Sequence, residues 1–226
     1  MKSPLSTSLP LVALLVLLGA SSVRAPVHAE TIGDVLDRSQ QLQLESFELA
    51  PPDGRQAQIL QQSFNELLKA LAMTGQAELH VIVGPTIAET LNGHALVANA
   101  RLADAPEQVR LFVLAHELGH VSLSHWRQMG LLFQKWVPGE IDARRPIEPQ
   151  LNERMGRDAA RLANQQEFEA DAFAGRVVAR LRPDSYNPQG VFMYLGAQQD
   201  TVTHPGTQRR MAALRWQAEL LKQQKP

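Results

Sequence analysis

The sequence predicts an α+β fold, predominantly helical, with a small sheet and one central buried helix. Three observations predict it. Apolar residues recur at helical spacing through Thr31–Glu48, Arg55–Met73 and Leu151–Arg182, whereas only two short runs, Glu78–Val83 and His94–Leu102, read as strands. Between the strands and the last helix lies Val-Arg-Leu-Phe-Val-Leu-Ala-His-Glu-Leu-Gly-His, residues 109–120. That segment is apolar nearly all round and therefore buried, except where three ionisable side chains interrupt it.

At the front, Lys2 precedes an apolar run, Leu9–Ala20, that is too short to span a bilayer comfortably. Val27-His28-Ala29 follows and fits a small-residue cleavage rule, so residues 1–29 read as a secretory signal cut after Ala29, with an uncleaved anchor as the alternative. Loss of Lys2 and Arg24 with no acid turns 22 basic against 23 acidic residues into 20 against 23, and the net charge from -1 into -3. That balance gives no reason to expect nucleic acid or an anionic membrane as partner. The chain has no cysteine, which excludes both disulfides and thiolate metal sites. Residues 30–226 suit one domain with a real core, and no membrane span is expected once the signal is gone.

The mature chain opens with a helical stretch to Glu48, ended by Pro51-Pro52-Asp53-Gly54. Arg55–Met73 is a second amphipathic helix with Gly75 as its stop. Glu78–Val83 is a strand closed by Gly84-Pro85, and His80 within it reads as a sheet-face residue. Asn92-Gly93 is a strong turn dipeptide. After it His94–Leu102 runs toward the central helix, and Leu96, Val97, Ala98, Asn99 and Ala100 are expected to form an edge that a peptide joins by strand addition, or else a purely structural strand. Asp104 is the expected N-cap of a helix that continues to about Arg127. Gly130–Gln150, with Trp136, Arg144, Arg145 and Pro146, reads as a loop that lines a cleft mouth or packs on the surface.

His116 and His120 are four residues apart on one helix face and can share a metal ion, with Glu117 one step round, placed to touch a water rather than the ion. His125, five residues beyond His120, is turned away, and Leu123 and Trp126 stand where a third-histidine pattern needs glycine and histidine. The third ligand must come from elsewhere. On the last long helix Glu167 and Asp171 share a face, Glu169 points off it, and Ala163, Ala170, Ala174 and Gly175 permit close approach to another helix. Glu167 is the expected third ligand, and Asp171 the acceptor for the free N–H of His116 or His120. Two histidines, one glutamate and a position left to water make the ligand set of a catalytic zinc site.

His116-Glu117-Leu118-Gly119-His120, Glu167-Phe168-Glu169-Ala170-Asp171 and Thr203-His204-Pro205-Gly206-Thr207-Gln208-Arg209-Arg210-Met211, in that order, resemble three successive signatures of the M-48 peptidase family. The likeness runs from about Glu78 to Leu214. That family holds the HtpX-type quality-control proteases, the CAAX-prenyl endopeptidases and periplasmic relatives. The resemblance implies a gluzincin-like zinc metallopeptidase fold, one zinc per chain on His116, His120 and Glu167, and Glu117 as general base and acid. It places His204 and Arg210 at the cleft, in contact with substrate or oxyanion, although His204 could instead cap the zinc at rest. Gly206 stands where the family commonly has a second proline, and the membrane helices of many members are absent. The expected function is a zinc-dependent endopeptidase, periplasmic or secreted, cutting unfolded or misassembled envelope proteins. The alternatives are a zinc-containing chaperone or assembly factor with latent proteolysis, and a metal-free helical binding protein.

Overall fold

The computed structural model describes residues 30–141 and 148–223. The expected signal, residues 1–29, and the loop residues Arg144, Arg145 and Pro146 lie outside the described residues. The fold is α+β and predominantly helical, with small sheets. Among the described residues, no helix is long and apolar enough to cross a membrane.

Strand β1 (Glu30–Thr31) leads into α1 (Ile32–Ser46). Thr31 caps that helix reciprocally with Asp34, satisfying two of the backbone donors that a helix start leaves free. Strand β2 (Glu48–Leu49) and α2 (Arg55–Ala70) follow, and α2 turns Leu60, Phe64 and Leu67 fully inward. Strand β3 (Glu78–Val83) has the expected bounds. The chain then forms β4 (Ala88–Leu91), turns through Asn92 and Gly93, both at positive φ, and returns as β5 (Ala95–Asn99).

The sheet order is β2-β3-β5-β4, with β3 and β5 parallel and β4 antiparallel to β5. This corrects the expected edge. Leu96, Val97, Ala98 and Asn99 lie on an interior strand that is hydrogen-bonded on both sides, and Ala100 begins a 3-10 turn, Ala100–Asp104. A strand paired on both flanks has no free backbone groups to offer a peptide. Alternate residues of β5 bury on opposite faces: Leu96 and Ala98 join the main core, while Ala95 and Val97 pack with Ile82 and Leu91 beneath Leu44 and Phe47. The strands at the two ends of the sheet are β2 and β4.

The central helix α3 spans Glu107–Ser122, with Pro106 rather than Asp104 at its N-cap, because the 3-10 turn takes up Asp104. It does not continue to Arg127. Ser124 adopts a left-handed conformation (φ 57°), and a new helix, α4 (His125–Trp136), leaves in another direction. Residues 130–136 are therefore helical rather than loop, and Gly130 sits inside a helix instead of stopping one. Strand β6 (Glu140–Ile141) pairs with β1. Helices α5 (Pro149–Leu181), α6 (Pro188–Leu195) and α7 (Thr207–Gln223) complete the chain.

The closest helix pairing is α3 on α5. A Cβ at Gly119 would stand 3.2 Å from the Ala170 Cα and 3.3 Å from the Phe173 ring, so Gly119 and Ala170 bring the two backbones together. This approach is what lets carboxylates on α5 reach histidines on α3.

Candidate metal centre

His116 and His120 project from one face of α3 with their Nε2 atoms 3.2 Å apart. Glu167 reaches them across the Gly119–Ala170 contact, its Oε2 3.6 Å from His116 Nε2 and its Oε1 3.5 Å from His120 Nε2. One ligand atom from each of the three residues lies within 4.8 Å of the others, so the group could hold a metal ion. Glu167 is only 6% exposed, and its Oε2 has no hydrogen-bond partner. An orphaned buried carboxylate oxygen opposite two imidazole nitrogens is costly without a cation among them. The donor set, two imidazole nitrogens and one carboxylate, suits a divalent metal of the zinc type.

Each histidine is oriented through its other nitrogen. His116 Nδ1 lies 3.0 Å from Asp171 Oδ1, and Asp171 is fully buried. Arg210 donates to the same carboxylate from Nε (2.7 Å to Oδ2) and from an Nη (2.6 Å to Oδ1), a bidentate pair. Burial pushes the Asp171 carboxyl up, but the charge and hydrogen bonds of Arg210 and the His116 contact outweigh it and hold it below its ordinary value. Glu167 behaves likewise: burial is the largest influence, yet His120, His116 and Arg210 together keep it well below the carboxylate range. His116 is desolvated too, and its Asp171 and Glu167 neighbours nevertheless raise it.

His120 has a different support. The helix break at Ser124 swings His125 back over α3, so that its Nδ1 lies 2.9 Å from His120 Nδ1 while its Nε2 lies 3.2 Å from Glu169 Oε2. The expectation that His125 turns away is therefore corrected, since it assumed one continuous helix. Nothing in the local sequence marks the break; there is no glycine or proline between Val121 and Arg127. Gln166 on α5 donates to the His125 carbonyl (3.1 Å), which fixes the new helix start. Burial, then the nearby His120, pushes the His125 ring down to about 4, so it is neutral near pH 7.

Glu117 is buried, and Thr90 on β4 holds it: the hydroxyl lies 2.8 Å from Glu117 Oε2 and 3.0 Å from its carbonyl oxygen. Strand β4 and Thr90 were not foreseen in the sequence. Four residues of mixed polarity before a turn give no clear period.

His204 and Arg210 come from the loop and helix that follow α6. The His204 ring faces the group, Nε2 3.7 Å from Glu167 Oε1, but it is 47% exposed along its side chain and stands outside the three-ligand set. Thr203 contacts its Nδ1 at 2.9 Å, and Thr201 accepts and donates across the turn. Gly206 explains the missing second proline: a Cβ there would stand 2.8 Å from the Gln198 carbonyl oxygen and 2.9 Å from the Asp200 nitrogen, both backbone. Arg210 corrects the expected cleft role. Its Nε and one Nη engage Asp171, its remaining Nη sits 3.8 Å from Glu167, and its side chain is nearly buried over Phe192. It braces Asp171 and does not present a free edge to a substrate.

Comparison with family models, with curated proteins and with solved structures found no match to the chain.

Proposed function

We propose that the chain is a zinc-dependent endopeptidase of the M-48 type with a gluzincin-like arrangement. The observation that carries this reading is the buried His116–His120–Glu167 group with its orphaned Glu167 oxygen, set one residue from a glutamate that is not itself in the group. His116, His120 and Glu167 would hold the ion. Zinc bound there would polarise a scissile carbonyl and lower the pKa of water, as in other metal-assisted hydrolysis. Glu117 takes the proton from the attacking water and returns it to the leaving amine. Thr90 holds one carboxylate oxygen of Glu117 and so aims the other. His204, part-exposed with Nε2 3.7 Å from Glu167, is the donor for a developing oxyanion.

Polypeptide substrates follow from the chemistry. Their class, unfolded or misassembled envelope proteins met in the periplasm or outside the cell, follows from the signal-like residues 1–29 and the family resemblance. A second reading, a chaperone or assembly factor with latent proteolysis, draws on His204: a ring 3.7 Å from a ligand oxygen is near enough to close over the ion. Cleavage of casein by the zinc-loaded chain and by its His204→Ala variant separates the two. Activity lowered by His204→Ala supports oxyanion binding, and activity raised by it supports the latch.

A further inference from the structure

The two histidines of the group are supported by different means, and the second support has a consequence for the metal. His116 gives its Nδ1–H directly to a buried carboxylate. His120 has no carboxylate at its Nδ1; it meets another imidazole, His125 Nδ1, at 2.9 Å. Two imidazole nitrogens at that distance share one proton, so one of them donates and the other accepts. With His120 Nε2 directed at the group, the proton of His120 sits on Nδ1, and His125 accepts through its Nδ1 lone pair. The remaining proton of His125 is then on Nε2, where Glu169 Oε2 accepts it at 3.2 Å. Every donor in the series Glu169–His125–His120 meets an acceptor, and only one pair of tautomers satisfies all of them.

The backbone is bent to make this possible. Ser124, a non-glycine residue, is held in the left-handed region that side chains other than glycine rarely adopt. That conformation serves to place His125, which is 2% exposed. Glu169 is held from the other side by the Gln165 amide, 2.7 Å from Oε1.

We infer that His125 and Glu169 are a positioning pair for His120: a carboxylate–imidazole–imidazole series that fixes the tautomer and ring plane of one metal ligand, as Asp171 does directly for the other. The inference rests on the metal reading above. Outer partners of this kind typically change metal affinity by about 10- to 100-fold when removed.

The test compares two substitutions of similar size. In His125→Asn the amide oxygen falls near the place of Nδ1 and accepts from His120. In His125→Leu nothing accepts. Zinc affinity is measured by chelator competition on the full chain, and the visible absorption of the cobalt-loaded forms reports ligand geometry. His125→Leu should bind zinc about 10- to 100-fold more weakly and alter the cobalt spectrum, and His125→Asn should restore most of both. Glu169→Ala, at a part-exposed position, should weaken zinc a few-fold without unfolding the chain, which keeps the inference testable if His125→Leu misfolds. A packing role for His125 predicts the reverse order, leucine tolerated better than asparagine, and that result overturns the pair. Equal zinc affinity in wild type and all variants also overturns it. A wild-type chain that binds no zinc removes the metal reading itself, and the pair with it.

Discussion

Two carboxylates near the site, Asp171 of α5 and Glu89 of β4, are treated differently by the protein. On the α5 side Asp171 is fully buried and is matched by the Arg210 guanidinium and the His116 ring, so it stays charged. On the sheet side Glu89 of β4 is half-buried and accepts from the Gln43 amide, 3.0–3.1 Å away, with the Glu117 carboxylate nearby. Burial first, and then Glu117, push Glu89 up to about 7. The α5 side thus consists of paired charges that fix geometry, whereas on the sheet side Glu89, held by a neutral amide, can exchange a proton near neutrality.

The contrast can be broken at its strongest point by Asp171→Ala. This leaves Arg210 buried without its counter-ion and His116 without its acceptor, and should destabilise the fold by about 3–5 kcal/mol in denaturant titration. It should also weaken zinc far more than any change on the sheet side. Gly119→Ala attacks the same flank through packing. A methyl 3.2 Å from the Ala170 backbone must push α3 and α5 apart, which should cost about 1–3 kcal/mol and loosen Glu167 from the histidines. Zinc affinity and thermal melts together check this, and an unchanged affinity would show that the close approach does not matter to the site.

Changes on the sheet side should leave zinc binding nearly alone. Thr90→Val removes the hydroxyl that holds Glu117 and should lower kcat about tenfold with KM and zinc content unchanged, since a hydrogen bond to a charged group is worth about 1.5–3 kcal/mol. The last effect is read against pH and concerns Glu89. Its folded value, about 7, lies above the ordinary 4.5, so in that window the folded chain keeps a proton that the unfolded chain has released. Folding stability should therefore fall as pH rises from about 4.5 to about 7, and the loss is complete above that. Glu89→Gln should flatten this part of a stability-against-pH curve, and an unchanged slope would place the titration elsewhere.

Much of the α5 flank is legible in the sequence because its signals are local periods. His116 and His120 at four-residue spacing, Glu167 and Asp171 at four-residue spacing, and the small residues Ala163, Ala170, Ala174 and Gly175 beside them state which faces meet. The long helix and strand β3 emerge within two residues of their expected ends for the same reason. The sheet flank is not local. The run His94–Leu102 after the Asn92-Gly93 turn reads as a strand, but nothing in it says that β4 folds outside it, since sheet order depends on where a hairpin docks. The break at Ser124 is equally silent, because it is imposed by Gln166, Glu169 and His120, which touch His125 only after α5 has packed. Helix α6 follows the same logic: Asn187 caps it and Phe192 packs on Phe112, but Pro188–Leu195 has one helical turn too few for a clear period.

In the proposed metal-assisted cleavage the proton moves through Glu117. Casein cleavage by the wild-type chain and by Glu117→Gln, each shown by metal analysis to carry about one zinc, tests this role. Zinc content should be equal and the cleavage rate of the variant reduced at least about 100-fold. Equal cleavage by the two zinc-loaded proteins would contradict it.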